Sequence, residues 1–233
     1  MGSVIYIPRR NTCRDTLTSG LLHYYKMNDT GATIVDSISG LNLTNSGGTA
    51  EVIGKLNTAY QFESADYASS GDGSSVAADE RTLSFWLKIT AYPTTGAMLI
   101  FSDNTAPSGF LKFGFAVVLT TAGIIQSGYT FGGGYSVVGG TVLSLNTWYN
   151  ITSKQMNNSG SLKTEMYIDS VYNSTHSASG YFSTYDRWVR HYLNMKKTST
   201  NSNVIIDDVK IWNRELSDCE IEANCNSGNG IEI

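Results

Sequence analysis

The chain has 233 residues, 41% apolar and 15% charged, with 16 Lys and Arg against 20 Asp and Glu for a net charge of −4. That balance leaves no basic surface for nucleic acid; no apolar run is long enough to span a bilayer, and residues 1–22 lack the continuous apolar core of a signal peptide. The length, 23 Gly and 14 Tyr, with no long helical periodicity, fit one large all-β domain of many short strands.

The chain opens with an arm, residues 1–19, that lies outside the expected all-β domain. Ile5, Tyr6 and Ile7 form an extended apolar run before Pro8, and Arg9, Arg10 and Arg14 face a single Asp15. Such a run needs a cover. It is either an extra edge strand packed on its own domain or an anchor that docks on a partner or a second copy.

The domain begins near Gly20. In RTLSFWLKIT (81–90), Leu83, Phe85, Leu87 and Ile89 alternate with Ser84, Trp86 and Lys88, which is the pattern of a half-buried strand. Trp86 falls on the polar side, where a loop or the arm covers it or where it stacks on a sugar. Residues 109–119 repeat the alternation through Leu111, Phe113, Phe115 and Val117. The glycine run at 132–134 has no following Lys-Ser or Lys-Thr and no helix, so it is a hairpin tip rather than a phosphate loop, with Tyr129, Phe131 and Tyr135 around it.

YFSTYDRWVRHY (181–192) clusters aromatics with arginines. Tyr181, Tyr185, Arg187 and Trp188, together with Tyr129 and Tyr135, are the candidate ligand or partner contacts, because Tyr, Trp and Arg dominate binding hot spots. The alternative is a strand with Val189, His191 and Leu193 on one face.

VIIDDVKIWNREL (204–216) reads as a strand. A period of two puts Ile205, Asp207, Val209 and Ile211 on one face and Ile206, Asp208, Lys210 and Trp212 on the other. Asp207 then sits in core phase, where it needs backbone donors, a cation or a metal ion. Ser217 and Glu220 form an S-x-x-E capping box, which predicts a helical turn from Asp218 to about Asn224, stopped at Asn226–Asn229.

Three cysteines are an odd set. Cys219 and Cys225 are near enough to pair across a turn, or both are free thiols, and the scattered His23, His176 and His191 make no zinc spacing. Sequons occur at Asn28, Asn42, Asn150, Asn157 and Asn173.

Several of these blocks resemble, in order, the laminin-G-like, concanavalin A-like sandwich domains. IDDVKIWNRELS (206–217) is similar to that family's closing IDDVRIYNRALS, RTLSFWLKIT to FTISFWVKP, and GKLNTAYQFESADYASS (54–70) to GKFGNALSFDGSDDYV. LNTWYNIT (145–152) is similar to WHHVAVT, and LKTEMYIDSVYN (162–173) to the LYVDGVLV hairpin, with Ser170 in place of the turn glycine. GLLHYYKMNDTGATIVDSISGLNLT (20–44) matches the opening strand and acidic loop, with Asn28 for one acid.

The resemblance implies an all-β, two-sheet antiparallel jelly-roll sandwich over 20–218, an arm over 1–19, and a C-terminal turn and tail over 219–233. Its expected core includes Phe62, Leu83, Phe85, Leu87, Phe113, Phe115, Ile151, Ile168, Val209 and Ile211. The family recognises glycans or proteins, often beside a structural calcium, which here would involve Asp207, Asp36 and Asp29 with backbone carbonyls and water.

The expectation is therefore a non-catalytic, surface-displayed module. One form is a virion protein (capsid decoration, head fibre or tail) anchored by its arm to a capsid or tail partner, binding cell-surface glycans and open to self-association as a homo-oligomer. The other is a secreted lectin or adhesin. A glycoside hydrolase is disfavoured, since the paired carboxylates of an E-x-D-x-x-E strand do not occur.

Overall fold

A computed structural model describes residues 12–63, 66–71, 80–102, 114–131, 134–158, 161–179, 191–195 and 203–233. A short helix, α1 (Thr12–Asp15), leads into β1 (Leu21–Tyr25), β2 (Thr33–Ile34), β3 (Leu43–Ser46), β4 (Ala50–Ile53), β5 (Thr58–Glu63) and β6 (Tyr67–Ser70). The middle of the chain supplies β7 (Arg81–Ala91), β8 (Met98–Ser102), β9 (Gly114–Leu119), β10 (Ile125–Phe131), β11 (Gly134–Val138), β12 (Trp148–Asn158), β13 (Ser161–Ile168) and β14 (Val171–Ser179). Then come β15 (Tyr192–Met195), β16 (Asn203–Trp212) and a second helix, α2 (Asp218–Cys225).

The strands form two antiparallel sheets. One runs β14-β13-β12-β7-β16-β5-β4, with β1 also on β16, and the other runs β11-β10-β9-β8-β15-β6-β3-β2. This is the expected sandwich. Between the sheets lie Phe62, Leu83, Phe85, Leu87, Ile151, Val209 and Ile211, all buried, with Ile168 packed at the margin. Of the other expected core positions, Phe115 is placed on β9 by its backbone and Phe113 lies outside the described residues.

The closing strand departs from a simple period of two. Asp207 pairs with Trp86 and Lys210 with Ser84, three residues against two, so β16 carries one extra residue at this point. Asp208 takes φ 55° to accommodate it, a left-handed conformation that Asp tolerates better than bulkier residues. Val204 and Ile206 thus share the inter-sheet core with Val209 and Ile211. This corrects the expected phase: Ile206 faces inward, and Asp207 is not in the inter-sheet core. The bulge also marks a change of partner. Up to Ile206 the strand pairs with β5, and from Val209 it pairs with β1.

The turn between β13 and β14 keeps two-residue geometry without glycine, with Asp169 at φ 51° and Ser170 at φ 64°. Two left-handed residues in succession are what a type I′ hairpin demands. The Asn150 amide donates to Asp169 Oδ1 at 2.8 Å and steadies that conformation. β10 and β11 likewise pair as a hairpin, with Phe131 opposite Gly134.

Helix α2 has the capping box expected of it, and Asn226 ends it in the left-handed conformation at φ 51°. It does not trail from the domain. Leu216, Ile221 and Ala223 pack with Trp212 and Tyr167 on the outer side of the first sheet, and Leu17 of the arm joins them.

The arm itself is therefore divided. Its described part is stitched down: Cys13 bonds to Cys219 with Cα atoms 5.8 Å apart, Trp212 Nε1 donates to the Leu17 carbonyl, and Arg214 donates to the carbonyls of Thr16 and Ser19. Ile5, Tyr6, Ile7, Arg9 and Arg10 lie outside the described residues. The disulfide also corrects the expected cysteine chemistry. Cys219 pairs across the chain rather than with Cys225, which is buried and free, because folding brings α1 and not the next helical turn opposite it.

Candidate functional site

The outer face of the first sheet holds the densest polar chemistry in the described structure. Residues that alternate with the core on β7, β12 and β16 project onto it, and α2 and the tail roof it over. Lys210 has no exposed surface, and Asp208, Asn224, Ser84, Asn150 and Thr152 are buried around it. Its Nζ donates to Asp208 Oδ2 at 2.7 Å, to Asn224 Oδ1 at 3.1 Å and to the Ile231 carbonyl at 2.6 Å. Tyr24 donates to Asp208 Oδ1 at 2.8 Å, and Asn224 Nδ2 donates to Ser84 Oγ at 2.9 Å.

Burial drives both partners of this pair toward neutrality. It lowers the Lys210 amine and raises the Asp208 carboxyl, and each resists the other's shift. Such a pair persists only because every donor and acceptor is used.

Asp207 next door is held differently. Its Oδ2 accepts from the Lys55 and Leu56 amides, both at 2.8 Å, while Oδ1 has no partner. Burial, only partly opposed by those amides, pushes the carboxyl up to about 7. Trp86 is covered by the loop and tail: Lys55 Nζ lies 4.8 Å from its ring centre, and a Cβ on Gly230 would stand 2.9 Å from its Nε1.

A second polar cluster closes one end of the sandwich. His23 Nδ1 meets Asp36 Oδ2 at 2.7 Å and Ser39 Oγ at 2.9 Å, and Ser39 also donates to that carboxylate. The His191 ring stands edge-on to His23 at 4.6 Å, and its Nδ1 meets Tyr25 Oη at 2.8 Å. Burial pushes Asp36 up, but His23, Ser39 and the Tyr24 and Ile38 amides together hold it well below the usual carboxylate range. Burial holds His191 far below an ordinary histidine.

Ser, His and Asp in contact invite comparison with a hydrolase triad. The geometry rejects it, because a triad uses opposite ring nitrogens for its base and its nucleophile. Here Asp36 and Ser39 share Nδ1, and Nε2 is buried without a partner.

The three aspartates expected around a metal are tied to separate donors. Asp29 accepts from the Val35 amide at 2.9 Å, Asp36 from His23 and Asp207 from the Lys55 loop. Among the described residues no group of three or more His, Cys, Asp or Glu side chains is placed to hold a metal ion. Of the expected contact residues, Tyr129 and Tyr135 lie on the β10–β11 hairpin, paired with Ser136 and Thr130 and not with each other. Tyr181, Tyr185, Arg187 and Trp188 lie outside the described residues. The sequon at Asn150 is buried, with 1% of its surface exposed, and cannot be reached for modification.

Sequence reasoning does not single out Lys210, Asn224 or His23 as members of a site. The available signal is a lysine two residues after an Asp pair inside a strand otherwise apolar on both sides. Its partner in α2 is distant in pattern and gives no local sign.

A family model described as the concanavalin A-like lectin/glucanases superfamily matches residues 62–222. The chain belongs to that superfamily. No curated protein matches it in sequence. Among solved structures, this superfamily member resembles Trypanosoma rangeli sialidase, with a TM-score of 0.68 and 14% identity over 92% of this chain and 34% of that one. It also resembles the binding domain of Paraclostridial Mosquitocidal Protein 1, with a TM-score of 0.69 and 16% identity over 92% of this chain and 53% of the other. A third likeness is to botulinum neurotoxin type C, whose cell entry depends on interaction with two ganglioside molecules: the TM-score is 0.68 and the identity 15%, over 93% of this chain and 52% of that one. The chain thus spans between about a third and about half of the structures it matches. These likenesses concern the fold.

Proposed function

We propose that the domain is a non-catalytic, surface-displayed module that binds cell-surface glycans, anchored by its N-terminal arm to a larger assembly such as a virion capsid or tail. The observation that supports binding over hydrolysis is the state of its buried carboxylates. Asp36 is held by His23, Asp66 by the Gly48 and Glu63 amides, Asp207 by the Lys55 loop, Asp208 by Lys210 and Glu220 by Arg214. A retaining glycosidase needs two carboxyl groups about 5 Å apart facing the substrate. These groups are committed inward instead.

Two features support the arm as an anchor. Its described base is fixed beside α2 by the Cys13–Cys219 bond, which joins the arm covalently to the sandwich. Its apolar and basic residues suit a protein surface. A secreted lectin is the second reading, favoured by that same disulfide, since such bonds persist in oxidising surroundings.

A glycan array probed with the full chain and with Tyr129→Ala and Tyr135→Ala tests the binding reading. Retention of specific glycans by the full chain, weakened in the variants, is expected; no retention on a broad array refutes it. Deletion of residues 1–11 keeps the disulfide and should abolish assembly while glycan binding survives. Equal assembly with and without those residues refutes the anchor.

A further inference from the structure

The contact between Lys210 and Asn224 goes beyond any binding role. A lysine with no exposed surface, an asparagine 1% exposed and an aspartate 2% exposed meet in one water-excluded chamber. The amine lies 3.1 Å from the carboxamide oxygen, and Asp208 lies 2.7 Å from the same amine. The carboxamide is held at both ends, since its Nδ2 donates to Ser84. We propose that Lys210 and Asn224 condense within the folded chain to form an isopeptide bond, with Asp208 as the proton-transfer residue and ammonia as the leaving group.

The chemistry balances without any added reactant. Lys210 passes a proton from its ammonium to the Asp208 carboxylate, which frees the Nζ lone pair. That lone pair attacks Asn224 Cγ and the carbonyl electrons move onto Oδ1. As they return, the Cγ–Nδ2 bond breaks, and Nδ2 leaves as ammonia after taking the proton shed by Nζ, relayed through Asp208. Ammonia then accepts the remaining Asp208 proton and departs as ammonium. The net change converts one ammonium side chain and one carboxamide into a secondary amide and ammonium.

The setting supplies what such a reaction lacks in water. An amide is a poor electrophile, and a lysine amine is protonated at neutral pH. Fixing both groups in contact converts a bimolecular encounter into an intramolecular one, and burial away from water favours the neutral, nucleophilic amine. Burial acts in that direction on Lys210 and in the matching direction on Asp208. The approach is rigid, because α2 is held by its capping box and by the disulfide at Cys219.

Lys154 is an internal control. It too has a buried head, but it faces the carboxylates of Glu165 and Asp218, the latter 81% exposed. Its ion-pair partners are carboxylates and not a carboxamide. The proposed bond would tie the central strand β16 to α2 opposite the disulfide, so that the helix is covalently clamped on two sides.

The test is peptide mapping of the folded full-length protein after reduction, alkylation and trypsin. If the bond is present, Lys210 escapes cleavage, and the peptide Thr198–Arg214 is recovered joined to Glu215–Ile233, lighter by one ammonia than the two apart. A succinimide at an asparagine loses the same mass but leaves the peptides separate, so the joined species is the decisive readout. Separate peptides from wild-type protein, even after prolonged incubation in the folded state, overturn the proposal. Asp208→Asn should retain the fold by circular dichroism and yield at least tenfold less joined species at equal incubation; joining at the wild-type rate overturns the role of Asp208. Asn224→Ala and Lys210→Arg should give none, and a joined species in either refutes the assignment.

Discussion

The two faces of the first sheet are buried by different means. On the inner face Leu83, Phe85, Leu87 and Ile151 are covered by the opposite sheet, and only shape and apolar area hold them. On the outer face Ser84, Asn150, Thr152, Asp208 and Lys210 are buried under α2 and the tail, each committed to a named partner. The first arrangement is tolerant of substitution among similar volumes, and the second is not. Truncating an apolar side chain on the inner face forfeits its buried area and leaves a cavity, whereas breaking a pair on the outer face strands a polar group that the remaining partner cannot satisfy.

The largest effects should come from breaking each face at its centre. Phe85→Ala should lose about 3–5 kcal/mol, while Leu87→Met should lose less than about 1.5 kcal/mol. On the outer face Lys210→Met should cost about 3–5 kcal/mol by leaving Asp208 buried without its cation. Adding Asp208→Asn should recover most of that loss. Both outer variants lack the amine, so the difference between them reads the stranded carboxyl alone. Urea unfolding of the four proteins measures this, and equal stability of the single and double Lys210 variants would show that the pair does not set the cost.

That asymmetry also explains what could be read in advance. The inner face was legible because Leu83, Phe85, Leu87 and Ile89 repeat a strand period, and the capping box was legible because Ser217 and Glu220 are three apart. The outer face was not. One extra residue at Asp207–Asp208 reverses the phase of β16, and no local pattern announces a bulge that coincides with a change of partner from β5 to β1. Cys13 finds Cys219 across a separation of 206 residues, where sequence proximity offered only Cys225 or two free thiols. Of the candidate contacts, only the strand positions of Tyr129 and Tyr135 are fixed by the structure. The polar clusters at Lys210 and His23 arise from residues that are far apart in sequence.

The disulfide offers a second way to separate the faces, because it clamps only the outer one. Cys13→Ser should lower stability by about 2–5 kcal/mol, since the bond restricts a loop of most of the chain in the unfolded state. Cys225, buried but unpaired, is the matched control, and Cys225→Ala should cost about 1 kcal/mol or less, since it removes one small buried group. In the Cys13→Ser protein, trypsin should cut first at Arg14. An unchanged cleavage rate there would mean that Leu17 and the Arg214 hydrogen bonds hold the arm without the covalent bond.

Acid should probe the two polar clusters with opposite signs. His191, held far below its unfolded value by burial with His23, Asp36 and Arg81 around it, confers stability that is present above about pH 6.5 and lost as the pH falls toward its folded value. The slope is about 1.4 kcal/mol per pH unit. Asp207, raised to about 7, works the other way: its contribution is full below about pH 4 and is lost as the pH rises through 7. Thermal melts of His191→Gln should therefore be flatter than wild type between pH 6.5 and 5, roughly the range of an ordinary histidine. Melts of Asp207→Asn should differ in slope between about pH 4 and 7, with the variant gaining relative stability at the alkaline end. Parallel melting curves for either variant and the wild type would show that the group does not change its proton affinity on folding.

The smallest expected effect lies at the cap of α2 and asks how much of the outer roof is held by the helix itself. Ser217 Oγ accepts from the Glu220 amide at 3.3 Å, and Glu220 Oε2 accepts from the Ser217 amide at 2.9 Å. Removing a Ser cap ordinarily costs about 0.5–2 kcal/mol. Here the low end applies, because Glu220 is also gripped by Arg214 at 2.7 Å and by Thr16 at 2.6 Å. Burial would raise the Glu220 carboxyl, but those partners and Ser217 hold it down at about 2, so it stays charged and in place when the Ser217 hydroxyl is gone. Ser217→Ala should thus cost about 0.5–1 kcal/mol and speed hydrogen exchange at the Glu220 amide, while the amides of β16 exchange as in wild type. If exchange accelerates together in α2 and β16, the helix and the strand beneath it open as one unit, and the roof is part of the sheet's own cooperative core rather than a separately capped layer.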